Sequence, residues 1–179
     1  MEVMRKFAIF AAASALIALF GVSGCGYHSL GAATHLPAGA RTLAVPVFAT
    51  RTDVNGTETA MTNAVIREFM ARTRLRVTAN SNADADAVLH GTILSQSVTP
   101  LTYNATSQQS SSFVITIVAS VTLNARDGRV LYENKKYLFR EQYQSTTNLT
   151  TFIQEDPAAV QRLSRAFAQQ LVADVLEGL

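Results

Sequence analysis

The chain of 179 residues has no tryptophan, one cysteine, four prolines and only 16 % charged residues. A single cysteine excludes an internal disulfide framework and any zinc site built from several thiolates. Fifteen Lys and Arg against thirteen Asp and Glu leave a formal charge of +2, too small for a nucleic-acid footprint despite a pI near 8.9. There is no G-x-S-x-G, Walker A, G-x-G-x-x-G or H-E-x-x-H pattern. His28, His35 and His90 are the only histidines, and none has a neighbour at metal-binding spacing. These absences read as a protein without a catalytic centre, a metal or a bound cofactor. A transmembrane helix is missing too. The longest apolar run, Phe7 to Val22, has 16 residues and covers roughly 24 Å as a helix, short of a hydrocarbon core of about 30 Å.

What is present begins with that run. Arg5 and Lys6 precede it and the small residues Val22-Ser23-Gly24 lead into Cys25, the plan of a secretory signal peptide. The last four residues resemble the bacterial lipobox, in which Val22, Ser23 and Gly24 are read by signal peptidase and the chain is cut before the cysteine. By that resemblance the Cys25 thiol carries a diacylglycerol and its new amino group an acyl chain. Two or three chains anchor stably where one anchors weakly. Gly26 stands where lipoproteins retained at the inner membrane often carry Asp, so the resemblance favours a periplasm-facing anchor in the outer membrane. The expected organisation is a cleaved signal over 1–24, a lipidated tether over 25–41 and one domain over 42–179.

With no repeat and no second composition, 48 % hydrophobic residues suffice for a single core. Thr42 to Phe48 reads as a short strand in which Pro46 argues for an edge or an end. Asn55 and Glu58 have capping-box spacing, and Met61, Val65 and Phe69 make one buried stripe of a helix running to about Arg72. Leu75 to Val77 is a short strand. Asp84 and Asp86 lie in a polar loop without the further oxygen ligands a calcium loop needs. Ala87 to Val98 is a strand with a bulge or close backbone contact expected at Gly91. Pro100 to Ser112 is uncharged and reads as a long hairpin tip.

Phe113 to Asn124 alternates most clearly: Phe113, Ile115, Ile117, Ala119, Val121 and Leu123 on one side, Thr116, Ser120, Thr122 and Asn124 on the other. Such period-2 patterning means one covered face and one wet face. Asp127-Gly128 makes a hairpin turn, and the partner strand runs from Val130 to about Tyr143, its apolar parity interrupted by Glu133, Lys135 and Glu141. Asp156-Pro157 reads as a helix start, followed by Val160, Leu163, Phe167, Leu171 and Val175, with Arg162, Arg165, Gln169 and Asp174 on the wet side. The sum is an α+β fold: two amphipathic helices on one face of a mostly antiparallel four- to five-stranded sheet.

The order of these features resembles the LPS-assembly lipoprotein family, LptE. The likeness runs from Cys25-Gly26-Tyr27-His28 through Leu43 to Phe48, the Thr59 to Phe69 helix, Ala85 to Gly91, the Phe113 to Leu123 strand, Asp127-Gly128, Val130 to Asn134 and the helix from Asp156. It implies a non-enzymatic outer-membrane component that plugs the β-barrel LptD, assists its folding and takes part in delivering lipopolysaccharide to the cell surface. Some family members hold the anionic lipid through basic residues near the loop that corresponds to Pro100–Ser112, which here has no Lys or Arg. The candidates for lipopolysaccharide contact are therefore Arg129, Lys135 and Lys136, with Tyr103 as the candidate barrel contact. The alternative is a periplasmic lipoprotein adaptor, like the N-terminal domain of TolB or like CsgG, binding a soluble or peptidoglycan-associated partner.

Overall fold

The computed structural model describes residues 35–52, 56–80, 84–104, 109–144 and 149–177, with backbone alone for 102–111 and 149–156. The elements run β1 (Thr42–Ala44), β2 (Ala49–Thr50), α1 (Thr57–Arg72), β3 (Arg76–Thr78), β4 (Ala87–Asn104), β5 (Gln109–Ala125), β6 (Val130–Gln144) and α2 (Leu149–Glu177). They form one mixed sheet in the order β3-β1-β4-β5-β6, with β2 added to β4 beyond β1. The short strands pair in parallel, and the long β4–β5–β6 meander is antiparallel. Both helices lie on one face, as an α+β fold requires.

The strand expected over Thr42–Phe48 is split. Pro46 cannot donate to a ladder, so pairing stops after Ala44 and resumes at Ala49. Between the two pieces the chain hooks onto α1: the Phe48 N–H donates to Thr62 Oγ1 at 3.0 Å, and that hydroxyl donates to the Glu58 carbonyl at 2.6 Å. Thr62 is thus a buried joint between the hook and the helix. The hook drives the Phe48 ring over β4, where an added Cβ on Gly91 would meet it at 2.4 Å. Gly91 is the close backbone contact, and the bulge falls later, between Ile93 and Ser95. The helix stripe Met61, Val65 and Phe69 is fully buried. The capping box is not used: Gly56 is the N-cap residue at φ 77, a left-handed conformation suited to glycine, and makes no side-chain cap. Asn55 lies outside the described residues.

On β5 the expected alternation holds. Ile115, Ile117, Ala119, Val121 and Leu123 are buried under the helices, while Thr116, Ser120, Thr122 and Asn124 stay partly exposed. On β6 it is corrected by two register shifts. Ala119 pairs with Tyr137 but Val121 with Asn134, and Leu123 pairs with Tyr132 but Asn124 with Val130. Each shift adds one residue to β6, and an extra residue reverses the faces that follow. Glu133 therefore sits opposite the outward Thr122, and Tyr132 joins the core face. Glu141, opposite Ile115, faces the helices and takes an ion pair from Arg162 at 2.5 Å.

α2 starts at Leu149, and Pro157 is inside it. The Asp-Pro pair has the same composition at a helix start as within a helix; here the helix continues and forgoes one hydrogen bond, the one a proline nitrogen cannot give. Leu163, Phe167, Leu171 and Val175 are buried as the spacing predicts. The Phe167 ring makes edge contacts with Phe48, Tyr137 and Phe139 and ties both helical connections to the sheet.

Candidate functional surface

One end of the sheet is a pinned entrance for the tether. The Asp86 carboxylate accepts hydrogen bonds from the Arg41 N–H (2.8 Å), the Thr42 N–H (3.0 Å) and the Thr42 hydroxyl (2.8 Å), and the Asp86 N–H returns one to Thr42 Oγ1 at 2.9 Å. Arg126 adds contacts at 3.3 Å to Asp84 and Asp86. Hydrogen bonds to the ionised form, the Arg41 N–H first, hold the Asp86 carboxyl below the ordinary value of 3.8. Asp86 was expected in a solvated loop. It is instead the clasp that fixes β1 beside β4, and among the described residues no cluster suits a metal ion.

A second fastening lies beside it. The His35 N–H donates to the Val175 carbonyl at 3.3 Å, and its ring rests 5.3 Å from that of Tyr132. Tyr132 and Tyr137 share a short hydroxyl contact, and the Tyr137 hydroxyl donates to Asp174 at 2.5 Å. Gln170 Nε2 reaches the other Asp174 oxygen at 2.7 Å. Asp174 was expected on the wet side of its helix but is only 8 % exposed. Helical spacing alone does not distinguish a carboxylate facing water from one facing two tyrosines. Burial, then the Asp174 hydrogen bond, raises the Tyr137 pKa, so the hydroxyl stays a donor.

The other end of the sheet differs. β4 and β5 run on beyond the expected tip, to Asn104 and from Gln109, so most of Pro100–Ser112 is paired strand and only 105–108 lies outside the described residues. Val98 and Leu101 there are 40 % and 52 % exposed. The face of β5 turned away from the helices presents Val114, Thr116, Val118, Ser120, Thr122 and Asn124 in register with Thr99, Ser97, Ser95, Thr92, His90 and Val88 of β4. From Ala87 to Ala125 stand 39 residues without Asp, Glu, Lys or Arg, where 16 % charge would place about six. That run was the available signal for the full length of the hairpin. Charges on this face belong to β6, with Arg140 opposite Thr116 and Glu133 opposite Thr122.

The expected contact residues do not gather at one place. Arg129 follows the β5–β6 turn, 3.9 Å from Asp127, on the rim of a shallow depression walled by Pro37–Ala40 and Arg126. Lys135 and Lys136 occupy the first β6 bulge, roughly 20 Å along the strand. Lys135 is 82 % exposed and 3.6 Å from Glu133. The backbone of Tyr103 is in β4, and its side chain is outside the description, as are Val22, Ser23, Gly24 and Cys25.

The model of the lipopolysaccharide-assembly family LptE matches residues 40–175, from the tether clasp to the end of α2. The chain belongs to the LptE family. No curated protein matches it. Among solved structures it is similar to an uncharacterized lipoprotein B from Nitrosomonas europaea, with a TM-score of 0.54 at 12 % identity over 83 % of this chain and 88 % of that one. It is also similar to a putative lipoprotein from Caulobacter crescentus, with a TM-score of 0.51 at 10 % identity over 74 % and 89 %. A hypothetical protein from Chlamydia trachomatis gives 0.50 at 12 % identity over 77 % and 99 %. At such identities the likeness is one of fold. An LptE chain is a lipoprotein of lipopolysaccharide assembly, and the matched residues cover the whole of the sheet described above.

Proposed function

We propose that this chain is an outer-membrane lipoprotein that plugs an LptD-type β-barrel and assists its assembly, so that lipopolysaccharide reaches the cell surface. Cys25, cut free after Val22-Ser23-Gly24, carries the diacylglycerol and N-acyl chain. The observation that carries the reading is the asymmetry of β5. Its inner side is sealed by two helices, while its outer side is an uncharged plane of Thr, Ser and Asn with Val114 and Val118 among them, continued by β4. A barrel lumen is polar, and such a plane meets it without removing many charges from water. Nine residues lie between Cys25 and His35, ten chain steps that span up to about 35 Å, enough for the anchor to reach the inner leaflet beside a barrel.

Direct contact with lipopolysaccharide belongs to the same proposal. Lys135 and Lys136 are its first candidates, since they stand exposed at a bulge on the free edge of the sheet, and Arg129 is a separate point near the tether. Tyr103 is placed on the strand that would lie against the barrel wall. Membranes solubilised in mild detergent and purified through a tag on this chain test the partnership. Copurification of a large β-barrel supports it, and recovery of soluble periplasmic proteins alone favours an adaptor. Changing Cys25 to Ala leaves an unprocessed precursor if the lipobox is used. Changing Lys135 and Lys136 to Glu lowers lipopolysaccharide binding most at low salt, and binding that ignores both the change and the salt removes these residues from the account.

A further inference from the structure

The basic side chains are unevenly placed. Between Arg67 and Arg76 stand four arginines and one acid, Glu68. Arg41 joins them, because the Arg76 N–H donates to its carbonyl at 2.8 Å. All five arginines are exposed. They gather at the corner where α1 ends and the edge strand β3 begins, and β6 with Lys135 and Lys136 is the opposite margin of the sheet. Arg72 has a carboxylate partner, Glu68 at 2.6 Å. Among the described residues, the side chains of Arg41, Arg67, Arg74 and Arg76 make no ion pair. Leu75 and Val77 pack against the core, so Arg74 and Arg76, which alternate with them, are turned away from it. On α1, Arg67 and Met70 are three residues apart on the outward face, and Met70 is 59 % exposed. The chain path from Arg67 to Arg76 is about 20 Å. Ordinary uses account for part of this cluster. A helix C-terminus favours a cation in its last turn, which Arg72 supplies, and a three-residue edge strand needs one charge to discourage pairing. Neither use calls for the remaining guanidiniums or for an exposed thioether beside them.

We propose that this corner docks on the headgroup layer of an anionic phospholipid bilayer, with the guanidiniums on phosphates and Met70 at the acyl boundary. Arginines carried by three separate segments, at 41, 67–72 and 74–76, suit a plane of phosphates better than one small ligand. An exposed apolar side chain set among cations is the composition of an interfacial surface. An acidic protein would match the charges, but a lipid interface takes the thioether as well. The proposal goes beyond the barrel reading and does not depend on it.

The test uses the full-length lipidated chain, added from detergent to preformed vesicles so that every arm carries the same anchor. The chain has no tryptophan, and Met70→Trp introduces a single indole as the reporter. Vesicles of phosphatidylcholine alone are compared with vesicles in which phosphatidylglycerol replaces part of it, both with brominated acyl chains that quench an indole reaching them. The expected result is several-fold stronger quenching on the anionic vesicles at low salt. It should fall toward the neutral level at high salt, and also when Arg67→Gln, Arg74→Gln and Arg76→Gln are added, since each cation near an anionic leaflet is worth about fivefold in binding. Equal quenching on neutral and anionic vesicles, or quenching that ignores both salt and the Gln substitutions, overturns the proposal. Vesicles carrying lipopolysaccharide in place of phosphatidylglycerol, matched in phosphate, separate the two sources: a response there and none on phosphatidylglycerol overturns it as well. Flotation with neutral vesicles reports the anchor by itself. A chain that does not float with them lacks the anchor, and its flotation with the anionic vesicles then reads docking directly. Copurification of the barrel is a separate measurement, so the two readings fail independently.

Discussion

At the base of the β4–β5 hairpin, Asp86 collects three hydrogen bonds from Arg41 and Thr42, Arg126 holds Asp84 and Asp86, and Asp174 joins β6 to α2 through two tyrosines. At the distal end, Val98 and Leu101 face solvent and no charged residue stands on either strand. The same two strands therefore serve two purposes. The base fastens the fold to its tether by directional bonds, and the distal half leaves apolar side chains such as Val98 and Leu101 exposed.

Substitutions that damage the base and spare the far end break this contrast open. Phe167→Ala has the largest expected effect, because the ring is fully buried against Phe48, Tyr137 and Phe139; a loss of about 3–5 kcal/mol should be read in denaturant unfolding. Tyr137→Phe should cost about 1–3 kcal/mol by the same measurement, since it removes the closest donor to a buried carboxylate. Asp86→Asn acts through pH. A folded pKa below 3.8 means that the ionised Asp86 stabilises the fold above that value, and that the contribution fades as pH falls through the lower folded pKa. Acid titration of stability should thus be flatter below about pH 4 in the Asn variant, and unchanged steepness would show that the clasp does not couple to folding. Leu101→Ser should be smallest, within about 0.5 kcal/mol, because about half of that side chain is already exposed.

The parts legible from sequence were those set by period. The β5 alternation, the Met61–Val65–Phe69 stripe and the Leu163–Phe167–Leu171 stripe all face the core as their spacing requires. What escaped the pattern had other causes. The single-residue bulge at Lys135–Lys136 reversed the faces of Tyr132 and Glu133, and no composition signal marks it. Pro157 reads as a start when only upstream residues that look like a loop are considered. Asp86 and Asp174 were placed in water because their partners, Thr42 and Tyr137, stand 44 and 37 residues away. The hairpin tip was drawn too long because Ser, Thr and Gln suit a loop and a polar sheet face alike. The family was visible in the ordered set of elements, while the candidate lipid contacts Arg129, Lys135 and Lys136 looked closer in sequence than the strand between them allows.

Purification of the tagged, lipidated chain from detergent-solubilised membranes tests the central claim most directly. The account predicts that a β-barrel large enough to enclose this sheet comes with it in a fixed ratio and stays through washing. Recovery of the processed lipoprotein from the membrane fraction with no barrel attached would contradict it.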